Sequence, residues 1–292
     1  MATLSDEVRA HCARVARDAR WVRIDLDRAQ DVEPGPPPAL DPERHFLDGS
    51  PGAVAAYLLT LTAINFGSGW FPELRKRVVD GSPVSGYFTV AMGLTDRFRA
   101  HGPWTGEELR AIRTEEIAEV CGQHPGHELM ALYAQALRQL GAFLGERSAL
   151  EAVRARSAQE LAAAVARMPM WNDRGFYKRA QILANDLALA GVATFPDLDT
   201  LTIFADNLVP HVLRCDGVLV YDDALAATID DERLLTSAAQ EREIRACAVH
   251  ACAHLAHRLG VPERTLDGWL WNRGQQPEYK ARPRHRARTV FY

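Results

Sequence analysis

An all-α fold of about ten helices is predicted by three features of the 292-residue chain. Apolar residues recur three and four apart rather than alternately, capping patterns precede several of the apolar stretches, and no two runs read as a hairpin. A chain of this length buries roughly three quarters of its unfolded surface, enough for one or two closely packed lobes without staples.

The charged N-terminal segment reads as a helix that ends before the proline-rich stretch Pro34 to Pro42, so residues 1–40 form an N-terminal helix and loop and 41–292 the main domain. Helical spacing then marks 51–66, 85–100, 128–144, 158–167, 176–190, 200–213 and 240–259. The clearest is 128–144, where Leu129, Leu132, Tyr133, Ala136, Leu137, Leu140 and Leu144 form one stripe. Thr105 with Glu108, and Ser157 with Glu160, have capping-box spacing, in which side chains satisfy the first free amides of a helix. Turns fall at 191–197 and 260–264, and a lobe boundary is expected near 168–175. The basic strip Ala281 to Tyr292 either covers the body or holds a phosphate.

Composition excludes several classes. Lysine plus arginine is 34 against 38 acids, a net charge of −4, which disfavours general duplex binding. Five scattered cysteines without a CxxC pair fit reduced thiols. No stretch approaches a membrane span and no secretory leader is seen, so a soluble cytoplasmic protein is expected. Elements of the type GxxxxGK[ST], GxGxxG and GxSxG are missing, against a P-loop ATPase, a dinucleotide enzyme and an α/β-hydrolase. His250, His254 and His257 with Glu243 lie along one helix face, but collinear positions over two turns cannot all reach one ion, and no metal is expected.

Four segments carry candidate chemistry. Lys178 and Arg179 stand at a helix N-terminus, against the preference of the dipole. A phosphate held there with Tyr177 gives a reason for them, although solvated surface charges are the commoner use. Asp197 and Asp199 read as caps. Asp206 is surrounded by Leu201, Ile203, Phe204, Ala205, Leu208 and Val209, so its carboxylate is desolvated and must be paired, neutral or functional. Pro210, four residues on, is expected to bend the helix there. In the short helix 267–275, Asp267 accompanies Trp269 and Trp271, which face different ways; one belongs to the core and the other, assigned as Trp271, to a flat ligand.

The segments Phe176 to Leu183 (FYKRAQIL), Leu201 to Asp206 (LTIFAD) with Val209-Pro210 and Val212-Leu213, Glu241 to Arg245 (EREIR), Leu270-Trp271 and Arg284 to Tyr292 (RHRARTVFY) together resemble the queuosine salvage family, the queuosine 5′-phosphate N-glycosidases. Asn65-Phe66 and Ser85 to Tyr87 match its N-terminal half, so the resemblance runs from about residue 45 to the end. It implies a helical fold similar to helix-hairpin-helix DNA glycosylases and release of the 7-deazaguanine base queuine from a mononucleotide, without a cofactor. It further implies Asp206 as the catalytic aspartate, Phe204 beside it in the base pocket, Asp267 and the position of Asn272 lining the ligand site, and His45 touching substrate from the N-terminal side. Family members commonly carry an acid where Asn272 stands and an aromatic where Gly268 stands.

The expected partner is therefore the small nucleotide queuosine 5′-phosphate, with no direct nucleic acid contact, no membrane and a monomeric chain. The competing readings are a DNA-repair base glycosylase and a non-catalytic nucleotide- or base-binding protein. Lys178, Tyr177, the C-terminal arginines and His285 are the candidates for the 5′-phosphate.

Overall fold

The computed structural model describes residues 2–32 and 34–292. Among them are fourteen α-helices and two small antiparallel ribbons, an all-α architecture.

Helix α1 (Leu4–Arg17) starts from a capping box at Thr3 and is followed by β1 (Val22–Ile24). The chain crosses the proline-rich loop to α2 (Pro51–Ala63), which is buried without a break from Val54 to Ala63, the mark of a helix enclosed on all sides. β2 (Val78–Val79) and β3 (Ser82–Pro83) form a hairpin where none is expected, although Asp80-Gly81 is a turn signal. Two-residue strands are too short to alternate; the turn is instead made by Asp80 and Gly81, both at positive φ (50° and 78°). Then come α3 (Gly86–His101), α4 (Gly106–Ala111), α5 (Thr114–Val120) and α6 (Glu128–Leu144). α4 opens on the expected capping box, in which Glu108 N–H donates to Thr105 Oγ1 and Thr105 N–H to Glu108 Oε2. α7 (Ala149–Ala152) and α8 (Ala158–Val165) follow. At α8 the box is only half made, since Ser157 caps Glu160 while the Glu160 carboxylate turns to Arg156. A second cap comes from Asp197, whose two oxygens accept from the Ala158 and Gln159 amides.

Next are α9 (Lys178–Leu189), α10 (Leu208–Cys215), β4 (Leu219–Tyr221), which pairs with β1, and α11 (Asp223–Asp230). α12 (Ala238–Leu259), α13 (Glu263–Arg273) and α14 (Pro277–Lys280) complete the helices. The expected helix over 200–213 is not continuous. Residues 201–205 belong to no helix, 206–207 bend, and α10 begins only at Leu208. Pro210 is therefore the third residue of a helix, where an N–H has no intrahelical partner, and bends nothing.

Two apolar cores result. The first gathers α2 to α9 around Leu58, Leu94, Leu137 and Leu183; the second gathers α1 and α10 to α14 around Val8, Val212, Cys252 and Leu266. α1 packs on α12, so the N-terminal helix is built into the second core. The segment 201–207 runs in the seam and feeds both cores: Leu201 and Phe204 enter the first, Ile203 and Ala205 the second. The C-terminal strip crosses the same seam. His285 O accepts from Asn207, Val290 O from Arg179, and Tyr292 O from the Gly67 amide.

Candidate active site

A non-helical segment buried between two cores must find partners for its backbone without a sheet, and here side chains from distant elements supply them. Gln181 of α9 accepts from the Thr202 amide at 2.9 Å, Asp267 of α13 from the Phe204 amide at 2.8 Å, and Arg245 Nε of α12 donates to the Ala205 carbonyl at 2.9 Å. Asn207 Nδ2 donates to His285 O at 3.0 Å. Asp206 is thus held at the end of a pinned strap, just ahead of α10.

Its Oδ1 accepts from the first two amides of α10, Leu208 at 2.7 Å and Val209 at 3.3 Å. That arrangement fixes the half-buried carboxylate at the positive end of the helix dipole. Oδ2 receives no protein donor among the described residues.

Lys178 and Arg179 open α9, but they are buried rather than solvated. Arg179 donates to the carbonyls of Thr62 and Ala63 at the C-terminal end of α2 and to those of Met170 and Val290, and stacks over Phe66 and Trp171. Its task is to join α2, α9 and the C-terminal strip. Lys178 Nζ donates to Asn65 O at 3.3 Å and faces Asp206, Asp267 and Asp186. None of the three acids lies within ion-pair distance of it among the described residues; its one hydrogen bond among them goes to the Asn65 carbonyl. Burial pulls Lys178 down to about 8, and burial pushes Asp267 and Asp186 up to about 7.

Asp186 escaped the sequence reading. It stands eight residues after Lys178, two turns along one helix face, and that spacing is the only sign of it in the sequence. Asn185 Nδ2 donates to it at 3.1 Å, and Tyr87 and Tyr57 face it.

The remaining wall is aromatic. Trp271 meets Tyr87 and Phe88 edge to face, with centroids 6.3 and 5.9 Å apart. Its companion Trp269 packs against Gly35, where a Cβ would come within 2.8 Å of the indole. His45 is buried, with Nδ1 2.8 Å from Asp41 O and Nε2 2.9 Å from Tyr87 Oη. A carbonyl only accepts, so Nδ1 carries the proton and the Tyr87 hydroxyl donates to Nε2. Burial lowers the pKa of His45 and keeps it neutral.

The structure thus brings Asp206, Phe204, Asp267, Lys178, His45 and Trp271 to one region and leaves two predicted residues apart. Tyr177 faces Glu7 and Arg174. Asn272 is exposed. Of the histidine stripe, Glu243 is committed elsewhere, since its Oε1 accepts from the amides of Arg20, Trp21 and Val22. A cleft of about 770 Å³ between α3 and α5 contains none of the predicted site residues.

The chain is thus a helical protein with a carboxylate fixed at a helix N-terminus, near buried charged and aromatic side chains. The chain belongs to the queuosine salvage protein family, whose model matches residues 45–292. It is 33% identical over 96% of its length, and 95% of the relative, to a queuosine 5′-phosphate N-glycosylase/hydrolase of Sphaerobacter thermophilus. A mouse protein of the same name is 27% identical over 84% of this chain and 83% of its own length. No helix among the described residues is long and apolar enough to cross a membrane.

Proposed function

We propose that this protein hydrolyses the N-glycosidic bond of queuosine 5′-phosphate, releasing queuine and ribose 5-phosphate and so returning the base to tRNA modification. The observation that carries the site assignment is the Asp206 carboxylate, with one oxygen held by α10 and the other without a protein donor among the described residues, near Lys178 and Asp267.

Cleavage passes through an oxocarbenium-like sugar, and Asp206 stabilises the positive charge growing at the anomeric carbon. A cavity poor in water strengthens that attraction. The bond's electron pair leaves with the base, water adds hydroxide to the sugar carbon, and its proton completes the base. A 7-deazapurine has carbon in place of the basic N7, so protonation there is closed and the charge must be met at the other edges. Asp267, whose Oδ2 has no protein donor among the described residues, accepts from the amino and ring N–H groups of the base. Lys178 is the cation that faces the same cavity, and its ammonium meets the negative charge that develops on the departing ring. Phe204 and Trp271 border the base, and His45 with Tyr87 closes the N-terminal side. The reaction asks for no cofactor or metal. The free nucleotide, not a duplex, suits an acid-lined cavity on a chain of net charge −4, acting as a monomer in the cytoplasm.

The test is chromatography of queuosine 5′-phosphate after incubation with the protein, with free queuine expected. Asp206→Asn should lower kcat by about 10²–10³, roughly 3–4 kcal/mol, with the melting temperature retained. Failure of the wild-type chain to release base would end the reading, and binding without turnover would make it a carrier instead.

A further inference from the structure

We propose that the cleft between α3 and α5 is a second binding site, separate from Asp206, for a small polyanion with a chain of phosphates, the group that a nucleoside triphosphate carries. The proposal is independent of the function argued above.

The cleft has a volume of about 770 Å³, within the range of sites for small ligands. Its floor is one face of α3, where Thr89, Gly93, Asp96, Arg97 and Ala100 follow at helical spacing and all line the space. Close packing seals that floor, since a Cβ on Gly93 would lie 2.3 Å from the Val120 carbonyl at the end of α5. A second side is the 75–77 segment, which is fastened at both ends. Gln123 Oε1 accepts from the Arg75 amide and Gln123 Nε2 donates to the Arg75 carbonyl, both at 2.9 Å, while the Arg77 amide donates to Thr89 Oγ1 at 3.1 Å. Trp104 and the α5 residues Glu116 and Glu119 complete the lining.

Arg75, Lys76, Arg77 and Arg97 bring positive charge to this space, and Asp96, Glu116 and Glu119 bring negative charge. Two of the acids are committed: Asp96 pairs with Arg77 at 2.5 Å, and Glu116 pairs at 3.2 Å with Arg113, which is not part of the lining. Arg75, Lys76 and Arg97 are left without a carboxylate in ion-pair distance among the described residues, against the exposed carboxylate of Glu119. Lys76 and Arg97 are half-buried, and their contacts are not with anions. Arg97 donates to the Gly102 carbonyl at 2.8 Å and lies over the Trp104 ring, 4.3 Å from its centre. Lys76 donates to the Phe71 carbonyl and sits 5.6 Å from the centre of the Phe71 ring. Burial pulls its ammonium down to about 8.

Cations partly removed from water without acids of their own are completed by a ligand that brings negative charge. A lone carboxylate meets only one of them. A chain of phosphates offers several charges and many oxygens, which an arginine takes in pairs through its planar fork and a lysine meets as a point charge. The fastened backbone of the 75–77 segment and the stacked guanidinium of Arg97 hold the cations in place before a ligand arrives. On a chain of net charge −4, such a recess is also where an approaching polyanion is drawn.

The experiment is titration calorimetry with tripolyphosphate, ATP and inorganic phosphate on the wild-type chain, Arg75→Met, Lys76→Met and their double variant. The wild-type chain should bind tripolyphosphate and ATP at least tenfold more tightly than inorganic phosphate. Each single variant should lose at least fivefold in affinity for both, and the double variant more. In the same variants the melting temperature without ligand should stay near that of the wild-type chain, and kcat/KM for queuosine 5′-phosphate within about twofold. Lys178→Met should keep the affinity for tripolyphosphate. Equal binding of ATP and tripolyphosphate would assign the site to the phosphate chain alone, and tighter binding of ATP would add its base to the contact. An absence of heat with tripolyphosphate at about 1 mM would overturn the proposal, as would an affinity unchanged in the double variant. So would an equal loss in Arg154→Met, which removes an exposed cation outside the cleft, or a loss that follows Lys178 instead of Arg75 and Lys76.

Discussion

Two clusters of buried charge grip the 201–207 strap, and they are built on opposite terms. On the α12 side, Arg245 is fully enclosed and fully paired. It makes a two-pronged contact with Asp173 at 2.5 and 3.2 Å, reaches Glu241 at 3.2 Å and the Ala205 carbonyl at 2.9 Å, and lies between the rings of Phe176 and Tyr292. Burial works against its charge, but Asp173 and Glu241 more than offset this and raise it beyond its usual range. On the cavity side, Lys178, Asp206, Asp267 and Asp186 face one another without touching. Charges that satisfy each other set a structure, whereas charges held apart are unfinished until a ligand completes them.

The two clusters are linked through one turn. The Asp173 carbonyl accepts from the Phe176 amide at 3.0 Å and the Tyr177 amide at 2.7 Å, while its carboxylate binds Arg245. Tyr177 is held in the left-handed region (φ 48°), a strained conformation for a residue with a side chain. That turn launches α9 with Lys178 as its first residue, so the paired cluster sets the position of the unpaired one.

The largest effect that distinguishes them is on stability. Arg245→Met leaves Asp173 and Glu241 buried without their cation and frees the Ala205 carbonyl, and should cost about 3–5 kcal/mol in chemical denaturation. Activity should fall with it, since the strap carries Asp206. A variant as stable as the wild-type chain would break the comparison at once.

In the cavity the same kind of change should do the reverse. Burial raises Asp267 from 3.8 to about 7. Between those values the unfolded chain ionises freely while the folded one resists, so this group lowers stability as pH rises from about 4 to 7 and leaves it lowered above. Asp267→Asn keeps an oxygen for the Phe204 amide and removes the titration. Its stability relative to wild type should be unchanged near pH 4, grow through pH 7 and level off at a gain on the order of 1–2 kcal/mol, less than ~1.4 kcal/mol per pKa unit because water enters the cavity. Denaturation at pH 4 and 8 measures this, and a variant less stable than wild type at pH 8 would put Asp267 with the structural charges. Base release should fall in the same variant, so stability and activity part company where they fell together for Arg245.

The legibility of the chain follows the same division. Helices with a regular stripe, such as α6, were readable because periodicity is local. The strap was not: Leu201, Ile203, Phe204 and Ala205 suit a helix face as well as an extended segment, and the choice is made by Gln181, Asp267 and Arg245, as far as 63 residues away. Asp206 and Asp267 stood out as acids among apolar neighbours. Asp186 did not, because beside Asn185 it has the look of a solvated helix edge. Lys178 and Arg179 were burdened by the rule that places lysine and arginine outside, which fails where helix-end carbonyls and a cavity receive them.

The smallest effect is expected at Asn272, where the family resemblance and the geometry point in different directions. An α-helix turns about 100° per residue, so Trp271, four residues after Asp267, returns to nearly the same face, while Asn272 lies about 140° away from it. In the structure Asp267 is buried and Asn272 exposed, in keeping with that rotation. A side chain on the outer face of α13 has neither a desolvated partner to lose nor a cavity to reshape. Asn272→Ala should therefore leave kcat/KM for the nucleotide within about twofold and stability within ±0.5 kcal/mol. A tenfold loss of kcat/KM with KM carrying the change would show that the C-terminal turn of α13 rotates inward around bound substrate, and the boundary between the unpaired cluster and the solvent would then have to be drawn one residue further along the helix.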